Sequence, residues 1–140
     1  MSGVAVIRYL LANAAAVVAV VPAARIMAGD LPLKTVTPAI SVTQIDSVPY
    51  NLLRVNQANK VHDDRVQVTV FRGASPSDTG YPGLKSLLAL VLAACPSQYG
   101  TINGVSVQSI TPESEGPDLP IPEEGIFTRS RDFIVRWVGA

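Results

Sequence analysis

The sequence predicts an α+β domain in which two helices pack on one face of a mostly antiparallel sheet of about four to five strands. The first observation is the stretch 65–71, in which Val66, Val68 and Val70 alternate with polar residues. A period of two places the valines on one face of a strand, and β-branched residues favour that pleated surface. The second observation is that apolar segments lie before and after this strand, and each needs a hydrophobic surface to cover.

The length and charge of the chain limit its organisation. A chain of 140 residues is expected to form one domain, which we assign to 1–140. The 11 basic and 11 acidic residues balance, whereas a general nucleic-acid binder usually carries a basic excess. The single cysteine, Cys95, excludes an internal disulfide framework.

Residues 3–20 are predicted to form the first helix. Its apolar stripe consists of Val4, Ile7, Leu10, Leu11, Ala14, Val17, Val18 and Val21. Pro22 ends the helix, because proline disfavours helical geometry in the residue before it. A signal peptide would begin with a basic region, but Arg8 follows an apolar stretch, and the run is too short to cross a bilayer. We therefore expect a packed amphipathic helix and no membrane contact.

Three extended segments follow this helix. Residues 25–27 form a short extended piece, 39–45 form a strand, and 64–71 form the central strand. Residues 46–63 are polar and carry proline and several asparagines, so they are interpreted as a long connection. Loops of this length are usually functional or mobile, and we expect this one to be mobile.

A second helix is predicted over 83–95. Its stripe consists of Leu84, Leu87, Leu88, Val91, Leu92 and Cys95. Leu90 and Ala94 lie outside the stripe, so the helix is apolar nearly all round and its second apolar side is a candidate subunit contact. The predicted buried face of the domain contains Ile40, Val42, Val66, Val68, Val70, Leu84, Leu87, Leu88 and Val91.

The C-terminal third begins with a hairpin, because Asn103-Gly104 readily takes the positive φ of a type I′ turn. Residues 112–125 are interpreted as a second long, mobile loop, rich in proline and without a basic residue. Its acids are Glu113, Glu115, Asp118, Glu123 and Glu124. A last strand covers 127–138 and places Phe133, Val135 and Trp137 on one face.

The candidate reactive residues do not form a recognisable active site. His62 is the only histidine and is expected to be a solvated loop residue, because no serine lies in a nucleophile-elbow sequence. Cys95 lies on the apolar stripe of the second helix and is expected to be buried rather than reactive. The acids of 112–125 lack the alternating spacing of a calcium loop, and no His/Cys set suits another metal. We expect no enzyme activity, no cofactor and no metal.

Taken in order, the motifs of the chain resemble those of the tail terminator (tail-completion) proteins of long-tailed bacteriophages and of phage-like gene transfer agents. The residues that carry this resemblance are Ala24-Arg25-Ile26, Leu31-Pro32, Pro38-Ala39-Ile40, Asp64-Arg65-Val66-Gln67-Val68, the leucine-rich helix 83–95, and the closing strand Arg131-Asp132-Phe133-Ile134-Val135-Arg136-Trp137. The resemblance covers nearly the whole chain. The Ala/Val-rich first helix and the Pro/Glu-rich segment 112–125 depart from the family pattern.

The resemblance implies a structural virion protein without catalysis. Proteins of this family form a homo-hexameric ring that caps the head-proximal end of the tail tube, ends tube polymerisation and receives the filled head. The implied partners are the tail tube protein, a head-completion or connector protein, and DNA that passes through the channel without specific binding. The implied location is the neck region of the virion tail, after assembly in the host cytoplasm. The alternatives are another neck protein (a head–tail connector or stopper), a small thiol- or histidine-dependent hydrolase, or a monomeric binding module.

Charge suggests two arrangements for such a ring. Arg129 and Arg131 share one face of the last strand, and arginine is enriched at protein interfaces. The acids of 112–124 either contact these arginines of the next subunit or line the channel, where they repel DNA phosphates. The candidate interface residues are Leu90, Ala94, Glu113, Glu115, Asp118, Glu123, Glu124, Arg129 and Arg131.

Overall fold

The computed structural model describes residues 2–29, 37–49, 60–73, 81–116, 119–121 and 126–139. The helices are α1 (Ser2–Ala12), α2 (Ala15–Val18) and α3 (Tyr81–Ala94), with a single 3-10 turn at Ala23–Arg25. The strands are β1 (Ile26–Ala28), β2 (Ala39–Pro49), β3 (Lys60–Gly73), β4 (Gly100–Ile102), β5 (Val105–Glu115), β6 (Leu119–Ile121) and β7 (Ile126–Gly139). The predicted α+β class is confirmed, although the described residues contain more strands and helices than predicted.

The sheet is organised around the antiparallel pair of β3 and β7. Both strands have 14 residues, and their register runs without a shift from Lys60 opposite Gly139 to Gly73 opposite Ile126. The strand order is β1-β2-β3-β7-β5-β4, and β6 pairs with β7. Among the described strands only β1 and β2 pair in parallel, so the prediction of a mostly antiparallel sheet is confirmed. The central strand is β3, which is longer than the predicted 64–71.

The prediction of long loops over 46–63 and 112–125 is wrong for the residues that the structure describes, because those residues are mostly in strands. β2 continues to Pro49, which lies opposite His62 on β3, so 46–49 and 60–63 belong to one extended hairpin. β5 continues to Glu115, and β6 pairs with the start of β7. The loops were predicted from the polar, proline-bearing composition and the length of these segments, but cross-strand pairing decides strand length at a solvated sheet surface. Residues 50–59, 117–118 and 122–125 lie outside the described part of the chain.

The core lies between one face of the sheet and the helices. Val66, Val68 and Val70 are fully buried, and Val42 and Phe133 continue this face on the neighbouring strands. α1 contacts β1, β2, β3 and β7, while α3 contacts β3 and β7. Every residue predicted for the buried face is buried, because the period-two and helical stripes meet across this layer: Ile40, Val42, Val66, Val68, Val70, Leu84, Leu87, Leu88 and Val91.

The first helix is broken, contrary to the single helix predicted over 3–20. The side chain of Asn13 donates to the carbonyl of Tyr9 at 2.8 Å, and the Asn13 amide donates to the same oxygen at 3.1 Å. Ala14 is extended, with φ −86° and ψ 112°, before α2 begins. An asparagine side chain that bonds to nearby backbone competes with helix continuation, which explains the end of α1 here. The break lets α2 contact α3 instead of continuing along the sheet.

The predicted hairpin at Asn103-Gly104 is confirmed. Asn103 has φ 50° and Gly104 has φ 77°, as a type I′ turn requires, and Ile102 pairs with Val105 across it.

Candidate functional site

The register of β3 and β7 divides the charged side chains between two faces of the sheet. The helix-side face bears Val66, Val68 and Val70 and is covered by α1 and α3. Val70 lies opposite Arg129, and Val68 lies opposite Arg131, so both predicted interface arginines are on the helix-side face. We call the opposite face of the sheet the outer face.

Glu115 forms ion pairs with Arg129 and Lys85 of its own chain on the helix-side face. Arg129 is only 8% exposed, and its Nη2 donates to Oε2 of Glu115 at 3.1 Å. Nζ of Lys85, on α3, lies 3.6 Å from the same oxygen, and Arg131 lies opposite Glu115 in the β5–β7 register. The hydrogen bond from Arg129 lowers the pKa of Glu115 below its ordinary value. The sequence suggested contacts between acidic residues of one subunit and arginines of the next. For Glu115 and Arg129, this contact is made within a single chain.

The other candidate interface residues have different environments. Leu90 and Ala94 on α3 are half-buried and pack against the core, so only part of each side chain is available to another chain. Glu113 is exposed on β5. Asp118, Glu123 and Glu124 lie outside the described residues. The interface assignment therefore stays a prediction.

Two ion pairs on the outer face were missed by the sequence interpretation. Nε and Nη2 of Arg65 lie 2.9 and 2.8 Å from Oδ2 of Asp132. The guanidinium of Arg136 binds both carboxylate oxygens of Asp63, at 2.8 and 2.9 Å. These partners are distant in sequence, and only the β3–β7 register brings them together. The Arg136–Asp63 pair is bidentate, which fixes geometry as well as charge, whereas Arg65 places two nitrogens on a single oxygen of Asp132.

Asp64 is a buried carboxylate that ties three elements together. It is fully buried and accepts hydrogen bonds from the Gly3 amide at 3.0 Å, the Ser47 hydroxyl at 2.5 Å and Nε1 of Trp137 at 2.9 Å. These partners belong to α1, β2 and β7. A Cβ at Gly3 would lie 2.7 Å from Cβ of Asp64, so this close approach requires glycine. The sequence placed Asp64 at the start of the central strand but gave no sign that it is buried.

His62 and Cys95, the two residues considered for catalysis, both pack against other parts of the fold. His62 is not a solvated loop residue as expected, because it lies on β3 and its ring stacks on Trp137 with centroids 4.3 Å apart. Cys95 is buried as expected, and burial raises the pKa of its thiol to about 12. The thiolate is the nucleophilic form, so this cysteine is a poor nucleophile at neutral pH.

The described residues show neither a metal-binding cluster nor a membrane-spanning helix. Within them, no group of three His, Cys, Asp or Glu side chains is arranged to hold a metal ion. No helix among them is both long and apolar enough to cross a membrane.

The end of β2 exposes apolar side chains. Ile45 and Val48 are each 52% exposed, where β2 has passed beyond its pairing with β1. A bulge between Gln44 and Asp46 shifts the register there. These two side chains are the large apolar groups that β2 exposes, so they are available for contact with another chain.

The chain was compared with known proteins. The family model described as tail completion protein gp17 matches residues 5–127. A search of curated protein sequences found no match. Among solved structures, one similar chain belongs to the virion of a native gene transfer agent particle. It is 15% identical, the match covers 97% of this chain and 94% of that chain, and the TM-score is 0.67. This likeness establishes a shared fold, and the family match over most of the sequence shows that the chain belongs to the tail completion protein gp17 family.

Proposed function

We propose that this protein caps the head-proximal end of a phage tail tube as a ring, ends tube polymerisation and forms the surface that receives the head. The observation that carries the proposal is the family match over residues 5–127, which identifies a structural tail protein. The fold shared with a chain of a gene transfer agent virion supports it, because that similarity extends over nearly the whole of both chains.

A closed ring needs two different surfaces on each subunit, because head-to-tail contacts join one surface to another. The described residues offer two apolar candidates on different elements. One is the exposed end of β2 with Ile45 and Val48, and the other is the α3 side with Leu90 and Ala94. We assign these two surfaces to the subunit contact. Arg129 is a weaker candidate, since it is buried and bonded to Glu115 in its own chain.

In this proposal the ring is a hexamer located at the neck of the virion and assembled in the host cytoplasm. One end contacts the tail tube protein, and the other contacts a head-completion or connector protein. DNA passes through the channel without specific binding.

Tail length in particles that lack this chain tests the proposal. A protein that ends polymerisation is needed to stop the tube, so its loss should give tubes of uncontrolled length without attached heads, seen by electron microscopy. A connector or stopper would instead give tubes of normal length beside unjoined heads. Tails of normal length that are joined to heads would refute both roles.

Sedimentation of the purified protein tests the proposed contact. Ile45→Asp with Val48→Asp places two charges on the β2 surface, at positions exposed enough to leave the fold intact, and should shift the ring to smaller species. Tyr99→Asp is a single-charge control, because Tyr99 is 86% exposed and lies just before β4, which is far from β2 in the strand order. A ring that tolerates the double variant would exclude β2 from the contact.

A further inference from the structure

The outer face of β3 and β7 is polar at its centre. Its central positions carry Gln67 and Thr69 on β3 and Ser130 on β7, with Nε2 of Gln67 3.4 Å from Oγ of Ser130. Phe71 and Ile134 lie on the same face and are half-buried, and between them the face carries hydroxyl and amide groups where the centre of a protein interface is usually apolar. α1 and α3 both pack against the helix-side face, so these side chains are not covered by either helix.

The arginines of β3 and β7 are sorted by face. The register places Arg72, Arg129 and Arg131 on the helix-side face. The two that point outward, Arg65 and Arg136, are each held by an aspartate at 2.8–2.9 Å. Their side chains are 37% and 43% exposed, so they reach solvent while remaining bound to Asp132 and Asp63.

Further carboxylates lie near this face. The pKa of Arg65 is raised chiefly by its hydrogen bond to Asp132, and the charges of Glu113 and Asp46 add to the increase. Asp46 is opposite Arg65 in the β2–β3 register. Among the described residues, four carboxylates therefore surround two outward arginines, and neither arginine is left to act as an isolated positive charge.

We propose that the outer face of β3 and β7 lines the channel and faces duplex DNA, and that Asp63 and Asp132 hold its arginines so that they do not bind phosphates. This inference rests on the proposed ring and identifies which surface of the subunit meets the DNA. Phosphate attraction dominates DNA affinity, so a wall with unheld arginines would retard DNA at every step of its passage. A polar channel surface whose arginines are paired with aspartates stays hydrated and does not bind the phosphates of the passing duplex.

The test uses particles assembled with variants of this chain. Asp63→Asn with Asp132→Asn removes the two holding charges, keeps side-chain shape, and raises the charge of each subunit by two. Ser86→Lys with Ser97→Lys is the matched control, because it adds the same charge at exposed positions on and after α3. We expect tails of normal length in both cases, which reports on tube termination separately from DNA passage.

The readout is the rate of DNA release at low and moderate salt. Because log K falls by about 0.9 per phosphate contact on a logarithmic salt scale, the two arginines freed on a single subunit predict roughly a tenfold change over a fourfold rise in salt, and contacts from further subunits steepen it. The aspartate variant should release DNA more slowly than wild type at about 50 mM salt, and this delay should shrink by roughly tenfold near 200 mM. The lysine control should match wild type at both.

A third variant separates charge from folding. Adding Arg65→Gln and Arg136→Gln to the aspartate variant removes the freed cations, so release should return to the wild-type rate. A delay that persists without these arginines overturns the inference, as does wild-type release in the aspartate variant. An equal delay in the lysine control also overturns it, because the helix side would then face DNA equally.

Discussion

Removing the buried carboxylate of Asp64 should destabilise the fold more than any other single acid-to-alanine change among the described residues. Asp64→Ala leaves the Gly3 amide, the Ser47 hydroxyl and Nε1 of Trp137 without their acceptor. Hydrogen bonds to charged groups contribute about 1.5–3 kcal/mol each, but these three share one carboxylate and do not add independently. A buried donor left without its acceptor costs about 1–3 kcal/mol, and with three such donors we expect a loss of about 3 kcal/mol. Total stability is only about 5–15 kcal/mol, so the loss is large.

Urea unfolding followed by Trp137 fluorescence measures this effect. A loss of about 3 kcal/mol lowers the midpoint by about 1–3 M for slopes of about 1–3 kcal/mol per M. Asp64→Asn keeps one acceptor oxygen and should lose less. Asp46→Ala is the control, because Asp46 is an exposed acid on the neighbouring strand and should change stability by no more than about 0.5 kcal/mol. The reasoning is refuted if Asp64→Ala and Asp46→Ala have the same midpoint.

Three other changes test the core, the thiol and the helix-side ion pair. Val68→Asp buries an unpaired charge between β2 and β7 and should prevent folding, so an unchanged melting temperature would contradict the sheet assignment. Cys95, with a pKa of about 12, should react with a thiol reagent at neutral pH only as fast as the protein opens, and rapid labelling of the native protein would contradict its burial. The pKa of Glu115 is depressed, so its stabilising contribution is present above its unfolded pKa and is lost as pH falls through its folded pKa. The stability difference between wild type and Glu115→Gln should therefore shrink in acid, and a difference that grows there would contradict the pairing with Arg129.

Where the sequence predicted structure well, the signal was local. The valine alternation of β3 and the leucine stripe of α3 each define a buried face from neighbouring residues alone. The turn at Asn103-Gly104 was predictable because these two residues accept positive φ. The break after α1 was also local, since Asn13 bonds to the backbone one turn earlier, but the apolar stripe that continues past it hid the signal.

The candidate site depended on contacts between distant segments. The sequence identified Arg129 and Arg131 as sharing one face of the last strand, and the register then placed that face against the helices. It could not pair Arg65 with Asp132 or Arg136 with Asp63, because those pairs exist only once β3 and β7 are aligned.

By itself, the sequence determined the period of each strand, the apolar faces of the helices and the turn of the hairpin, because backbone geometry ties these to neighbouring residues. The motifs along the chain also resembled the family that the comparison then matched. Only the tertiary structure decided where β2 and β5 end, which face each charged side chain occupies, and that Asp64 is buried among α1, β2 and β7. Strand ends and charge partners follow from pairing between segments far apart in sequence, and a shift of one residue in register would move every side chain to the other face.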